Sequence, residues 1–264
     1  MTALALDSLL LARRNLAHIR QIPEKLFDVT LQPIMFVLLF AFVFGGVIAV
    51  PHGSYREYLI GGILVQTIAF GMMGPGTSLA TDLTDGIVDR FRTLPMARSA
   101  FLVGHMLAEF AGMLVAIAIL SLSGLIVGWR IHGGVPHALA GYGLLACFAL
   151  AMVWIGLLVG VSVRSPDAVM GIGFMVVFPL TFVASTFVPV AGLPAGLRQF
   201  AEWNPVTALA AAVRGQFGNP TATPAAHVPW SLVHPVGYSL LCCAAILAVV
   251  VPLTIRQYRR RTSD

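Results

Sequence analysis

The side chains in this sequence that could do chemistry are its histidines, cysteines and carboxylates, and their spacing does not build a catalytic centre. His132 with His137, and His227 with His234, form two pairs in semi-polar connecting stretches without acidic neighbours at ligand spacing, so they read as solvated loop residues. Cys147, Cys242 and Cys243 all fall in apolar runs without C-x-x-C spacing, and read as small apolar residues in helices. No H-E-x-x-H metalloprotease pattern and no G-x-S-x-G nucleophile elbow occurs. There is no G-x-x-x-x-G-K-[ST] phosphate loop either, so a nucleotide used by this protein would be bound by another chain. Glu109 is the one carboxylate near the interior of a long apolar stretch. Intramembrane acids are costly and often functional, but Arg98 and His105 lie one or two helical turns away. The pattern fits a paired edge residue and a proton carrier equally.

The elements that carry these residues follow from composition. Of 264 residues, 58% are hydrophobic and 10% charged, far below the roughly 25% charged residues of soluble domains. Lipid must therefore be the solvent for most of the chain. A helix needs about 20 apolar residues to cross the hydrocarbon core, and six stretches qualify after trimming at Gly, Pro and polar clusters: 29–50, 57–80, 101–127, 139–163, 168–188 and 235–255. Transmembrane β-strands would alternate apolar and polar residues, whereas Ile34 to Val50 is apolar throughout. The net charge of +5 comes from small basic groups between apolar spans, not from a basic patch, so no nucleic-acid partner is expected. Arg56, Arg130, Arg198 and Arg214 fall on one side of the six-span arrangement and the rest of the 16 Lys and Arg residues on the other. The positive-inside rule then puts both termini in the cytoplasm. Trp129, Tyr142, Trp203 and Trp230 are expected near the outer interface.

Three segments are not plain spans. Residues 4–22 carry Leu6, Leu9, Leu10, Leu16 and Ile19 broadly on one side, against Asp7, Arg14, His18 and Gln21, which predicts a helix lying in the membrane interface. Residues 82–94 place Asp82, Asp85 and Asp89 before Arg90 and Arg92, as a helix macrodipole favours. Leu83, Ile87, Phe91 and Leu94 form one apolar stripe, and Pro95 ends the helix. This is a short amphipathic cytoplasmic helix that can pack on its own protein, lie on the membrane or dock into a soluble partner. Residues 189–214 are divided by Pro189, Pro194 and Pro205 into pieces too short to span, which suits re-entrant or interfacial helices, and Asn204-Pro205 signals a helix start. Phe70, Met72, Met73, Phe174, Met175, Phe178 and Phe182 give the spans soft, flat surfaces that could accept varied apolar ligands or simply pack.

The stretch Gly86-Ile-Val-Asp-Arg-Phe-Arg-Thr-Leu-Pro-Met-Ala-Arg-Ser-Ala-Phe-Leu-Val-Gly104 resembles the corresponding loop of ABC-2 type transporter permeases, closest to the daunorubicin-resistance membrane subunit group. Phe187-Val-Pro-Val, Leu193-Pro, Glu202-Trp-Asn-Pro-Val-Thr207 and Arg214 resemble the same group, and the likeness extends over nearly the whole chain. One position departs: His105 stands where that group is expected to carry an Arg. The resemblance implies a single all-α transmembrane domain over 1–264, a multi-pass protein of the cell inner membrane. It implies two permease copies, as a homo- or heterodimer, above two ATPase subunits that bind ATP and Mg, with no nucleotide site or other cofactor on this chain. The 82–94 helix (Asp82, Leu83, Asp85, Ile87, Asp89, Arg90, Phe91, Arg92, Leu94) would be the coupling helix seated in the ATPase. Asn204, Pro205, Thr207 and Arg214 would belong to a re-entrant outer cap, and the Phe and Met residues to the substrate pathway. The implied activity is export of hydrophobic drugs or lipid-like molecules. Export of a polysaccharide or lipid-linked glycan is an alternative within transport, and a membrane-embedded enzyme or scaffold one outside it.

Overall fold

In the computed structural model, residues 34–44 (residue 36 apart), 54–86, 98–187, 193–221 and 229–261 are described. These residues form helices and their connections, with no strand among them. In lipid the backbone must satisfy its own polar groups, and helices do so within one segment. A π-helical stretch, Phe40–Phe44, is followed by α1 (Tyr55–Phe70), α2 (Met73–Thr84), α3 (Arg98–Val127), α4 (Gly134–Ser162), α5 (Pro166–Phe182), α6 (Ala195–Trp203), α7 (Pro205–Phe217), α8 (Trp230–Val233) and α9 (Pro235–Arg261).

Four helical stretches are long and apolar enough to cross a membrane: Tyr55–Thr84, Phe101–Val127, Gly134–Ser162 and Pro235–Arg261. At 1.5 Å per residue, the 27 residues of Phe101–Val127 exceed a hydrocarbon core of roughly 30 Å. α5 is apolar but shorter, at 17 residues. The expected span 168–188 therefore ends early. The helix closes just past its internal Pro179, and 183–187 run as turns. Of the expected 29–50 span, residues 34–44 are described in part; the expected interfacial helix at 4–22 lies outside the described residues.

The bundle is built around α1, α2 and α4. The most apolar window of Tyr55–Thr84 is 78% buried within the single chain, whereas that of Pro235–Arg261 is 11% buried. The first is thus a central post and the second a peripheral helix. Apolar side chains gain little by leaving lipid for one another, so close backbone approach must hold such helices together. Gly156 and Gly160 supply it on α4, spaced as G-x-x-x-G. A Cβ on Gly156 would overlap the Met72 carbonyl oxygen, and one on Gly160 would overlap that of Gly76.

The expected span 57–80 falls within Tyr55–Thr84, which carries one turn at Gly71 and Met72. α1 stops at Phe70, and α2 restarts at Met73 after a turn at Gly71 and Met72. The Gly71 amide donates to the Thr67 carbonyl at 2.8 Å, while Pro75, in the first turn of α2, has no amide to give. The Met113 sulfur of α3 fills the space a Gly71 side chain would need, 2.6 Å from an ideal Cβ. α9 runs beyond the expected end at 255 because its last residue is anchored. The Arg261 guanidinium donates to the carbonyls of Val161, at 2.9 Å, and Val163, at the C-terminal end of α4.

Replacing Gly156 with Val is expected to destabilise the purified protein by about 1–3 kcal/mol through overpacking of α2 against α4. Gly237→Val, at a position with open space around it, is expected to change stability by less than about 0.5 kcal/mol. Thermal unfolding in detergent compares the two.

Candidate functional site

The residues of the expected outer motif converge on one buried centre. Asn204 caps α7: its Oδ1 accepts from the Val206 amide at 2.9 Å, and Pro205 takes the first helical position. Its Nδ2 donates to the Leu180 carbonyl at 2.6 Å, so the same side chain ties α7 to the end of α5. One turn along, the Thr207 hydroxyl accepts from the Ser185 amide at 3.2 Å. Arg214, near the far end of α7, is 1% exposed. Its Nε donates to the Tyr58 carbonyl of α1 at 2.7 Å and its Nη2 to the Thr186 carbonyl at 2.9 Å. Its guanidinium carbon lies 3.5 Å from the centroid of the Tyr58 ring.

Burying a cation is expensive unless hydrogen bonds replace its water. Here two carbonyl dipoles and a ring face take that role. Two adjacent glycines in α1 make the room. A Cβ on Gly61 would stand 2.7 Å from the Arg214 Cγ, and one on Gly62 would overlap the Thr186 carbonyl. Tyr58 and Tyr55 complete the arrangement by donating from their hydroxyls to the carbonyls of Ser185, at 2.9 Å, and Phe187, at 3.2 Å. Sequence reasoning placed Arg214 on the outer side and in the outer motif, without its burial. The legible signal was an arginine on an Ala-rich helix together with a Gly-Gly pair in the most apolar part of another span.

Trp129, expected near the outer interface, packs against the end of α7. It is fully buried, with its indole N–H donating to Asn219 Oδ1 at 2.7 Å and its ring edge-on to Phe217. The amides of His132 and Gly133 donate to the Phe217 carbonyl, so the turn between α3 and α4 is fixed to the end of α7. Trp203 and Trp230 remain half exposed. His132 is paired: its Nε2 lies 2.9 Å from Glu57 Oε1.

At the opposite end of the bundle, Asp82 and Leu83 do not begin a helix; they lie in the last turn of α2. Asp85 is its C-cap, and Gly86 follows at φ +66°, in the left-handed region that closes helices. The expected 82–94 helix is corrected at its start for this reason. Ile87, Asp89, Arg90, Phe91, Arg92 and Leu94 lie outside the described residues. Asp82 faces α3, with Oδ2 3.6 Å from His105 Nδ1, and His105 Nε2 is 3.8 Å from Glu109 Oε1.

The Phe and Met residues divide into two sets. Met72 and Met73 are in the core, the latter against Gly173 of α5, and half-buried Phe70 meets Phe174 edge-on at 5.8 Å. Phe174, Met175, Phe178 and Phe182 form an outward face of α5, with Met175 79% exposed. Phe178 stacks on Phe182, Phe182 meets Phe187, and Phe187 stacks on Phe40 of the π-helical stretch.

The family model described as ABC-2 type transporter matches residues 8–217. A daunorubicin resistance ABC transporter permease protein of Streptomyces coeruleorubidus is 31% identical over 250 residues, 95% of this chain and 85% of the relative. A doxorubicin resistance ABC transporter permease protein of Mycobacterium tuberculosis is 24% identical over 205 residues, 78% of this chain and 71% of the relative. A second, probable doxorubicin resistance permease protein of M. tuberculosis is 26% identical over 237 residues, 88% of this chain and 80% of its own length.

Arg214→Lys is expected to cost about 2 kcal/mol or more, because an ammonium cannot reproduce the fork to two carbonyls and the stacking on Tyr58. The measurement is thermal unfolding in detergent, with proteolytic cleavage after the 183–187 turns expected to rise in parallel.

Proposed function

Since the chain belongs to the ABC-2 type transporter family, we propose that it is the membrane-spanning permease subunit of an ATP-driven exporter of hydrophobic drugs. The observation that carries this reading is the full-length likeness to a drug-resistance permease, 31% identical over 95% of the chain. The relatives are named for resistance to daunorubicin and doxorubicin, and the same class of compound is the substrate proposed here.

The chain crosses the membrane six times with both termini in the cytoplasm. Beyond the four long helices, the first span includes residues 34–44 and the fifth is built on α5. ATP and Mg are bound by a separate ATPase subunit, two copies of which serve two permease copies in a homo- or heterodimer. Residues 82–94 couple the two kinds of subunit by docking in the ATPase. The first residues of this segment, Asp82 and Leu83, lie in the last turn of α2, at the end of the most buried span, so a push on the segment is delivered to the centre of the bundle. Such coupling requires the segment to dock differently in the two ATPase states, since equal affinity for both shifts nothing. The outward face of α5, with Phe174, Met175, Phe178 and Phe182, borders the substrate pathway together with Phe70, Met72 and Met73. The segment 189–214 caps the exit, held to α1 by Arg214.

A pull-down of the tagged chain from detergent-solubilised native membranes tests the proposal directly. Stoichiometric recovery of a subunit bearing the G-x-x-x-x-G-K-[ST] loop supports it, and recovery of the chain alone, under conditions that preserve other such complexes, overturns it. In the same experiment Phe91→Asp combined with Ile87→Asp is expected to abolish ATPase recovery while leaving membrane insertion intact. Topology has its own test. In a background with the native cysteines replaced by Ala, His132→Cys and Arg260→Cys are expected to react with an impermeant maleimide from opposite sides of the membrane; reaction from one side sinks the six-span arrangement.

A further inference from the structure

An amide held in a membrane-spanning helix has to find hydrogen-bond partners inside the protein, because neither lipid nor an apolar core supplies them. Gln66 lies in α1, within the most buried of the spans, and is 7% exposed. Among the described residues its side-chain amide makes no hydrogen bond. We propose that Gln66 is a substrate-specificity residue. Its amide serves an uncharged hydroxyl or carbonyl group on an otherwise apolar substrate, engaged where α1 faces α5. The inference rests on the reading of the chain as an export permease, and it adds a polar contact to a pathway otherwise lined by Phe and Met.

The place of Gln66 follows from helix geometry. Gly62, Gln66 and Phe70 stand on successive turns and so share one stripe of α1. Both ends of the stripe meet α5 or the turns that follow it. Gly62 packs against the Thr186 carbonyl, and Phe70 meets the Phe174 ring edge-on at 5.8 Å. Gln66, midway, is therefore level with the stretch around Phe178 and Phe182, whose rings stack at 4.1 Å. Phe174, Phe178 and Phe182 are each about half exposed. The stripe thus sets one amide beside a row of flat apolar side chains.

The polar groups on the α5 side are already engaged. The Thr181 hydroxyl donates to the Val177 carbonyl of its own helix at 2.8 Å, and the Leu180 carbonyl accepts from Asn204. The carbonyls of Ser185 and Thr186 accept from Tyr58 and Arg214. Gln66 is thus left over from the network that closes this end of the bundle. A primary amide offers N–H donors and a carbonyl acceptor and carries no charge. It can answer a ligand hydroxyl or carbonyl, but it does not offset the burial of a carboxylate or an ammonium in the same apolar surroundings. An unpaired buried amide also lowers the stability of the ligand-free protein. A role in binding and a role in packing therefore predict opposite effects when the amide is removed.

The test uses the full-length permease with its co-purified ATPase in lipid nanodiscs. The probes are pyrenemethanol and methylpyrene, substituted at the same ring position, so that they differ by a hydroxyl. One readout is the melting temperature of the permease without probe. The other is the probe concentration that gives half of the maximal melting shift and half of the maximal stimulation of ATP hydrolysis. Wild type is expected to respond to pyrenemethanol at a concentration about three- to tenfold lower than to methylpyrene. Gln66→Met, which nearly keeps the side-chain volume, is expected to melt no lower than wild type and to lose that difference. Its response to pyrenemethanol weakens about three- to tenfold, while its response to methylpyrene is unchanged. Equal response of wild type to the two probes overturns the proposal, and this arm needs no variant to fold. Equally fatal is a Gln66→Met protein that melts lower and weakens toward both probes alike, for the amide is then a packing or subunit contact. If wild type co-purifies no ATPase, the permease reading falls and the substrate role of Gln66 with it. If the ATPase co-purifies and the probes are not distinguished, only the Gln66 assignment falls.

Discussion

A cation buried in an apolar bundle has to be surrounded by dipoles, and in this protein the requirement organises one end of the fold. Arg214 draws the Tyr58 carbonyl, the Tyr58 ring and the Thr186 carbonyl onto one guanidinium. The 183–187 turns expose backbone carbonyls that a helix would have used internally. Arg214, Tyr58 and Tyr55 satisfy three of them in succession, at Thr186, Ser185 and Phe187. Without those donors, ending α5 at Phe182 would leave polar backbone unpaired inside a low-dielectric interior. The short helix, the irregular turn and the buried arginine are therefore one solution. Gly61 and Gly62 belong to it, because any side chain there would occupy the space of the guanidinium or the Thr186 carbonyl.

The opposite end works on another principle. There α2, the end of the central post, is pressed on α4 through glycines on both helices. Close backbone contact is a strong restraint where lipid offers no hydrophobic drive for association. It holds α2 laterally against α4. Arg261, by closing the end of α4, gives that lower region a fixed floor.

The family likeness and the geometry bear on different questions. Membership in the ABC-2 type transporters rests on the sequence match over residues 8–217, and the drug-export reading on relatives whose likeness runs nearly end to end. The buried arginine centre, the glycine contact between α2 and α4 and the approach of Asp82 to His105 come from packing alone.

Much of the architecture was legible in the sequence, because the hydrocarbon core imposes a length and an apolar composition that any spanning helix must meet. Helix class, the long spans at 101–127, 139–163 and 235–255, and the Asn204-Pro205 start of α7 follow from hydropathy and local backbone chemistry. So did the absence of a nucleotide loop and the resemblance carried by residues 86–104 and 187–214. What local rules misplaced were the features set by contacts distant in sequence. Arg214 was read as an outer-side charge and Trp129 as an interface aromatic, and partners 156 and 90 residues away bury both within the chain. The early end of α5 depended on which carbonyls found donors elsewhere in the bundle. A sequence displays the polar groups each segment must satisfy; tertiary structure alone decides which distant groups satisfy them.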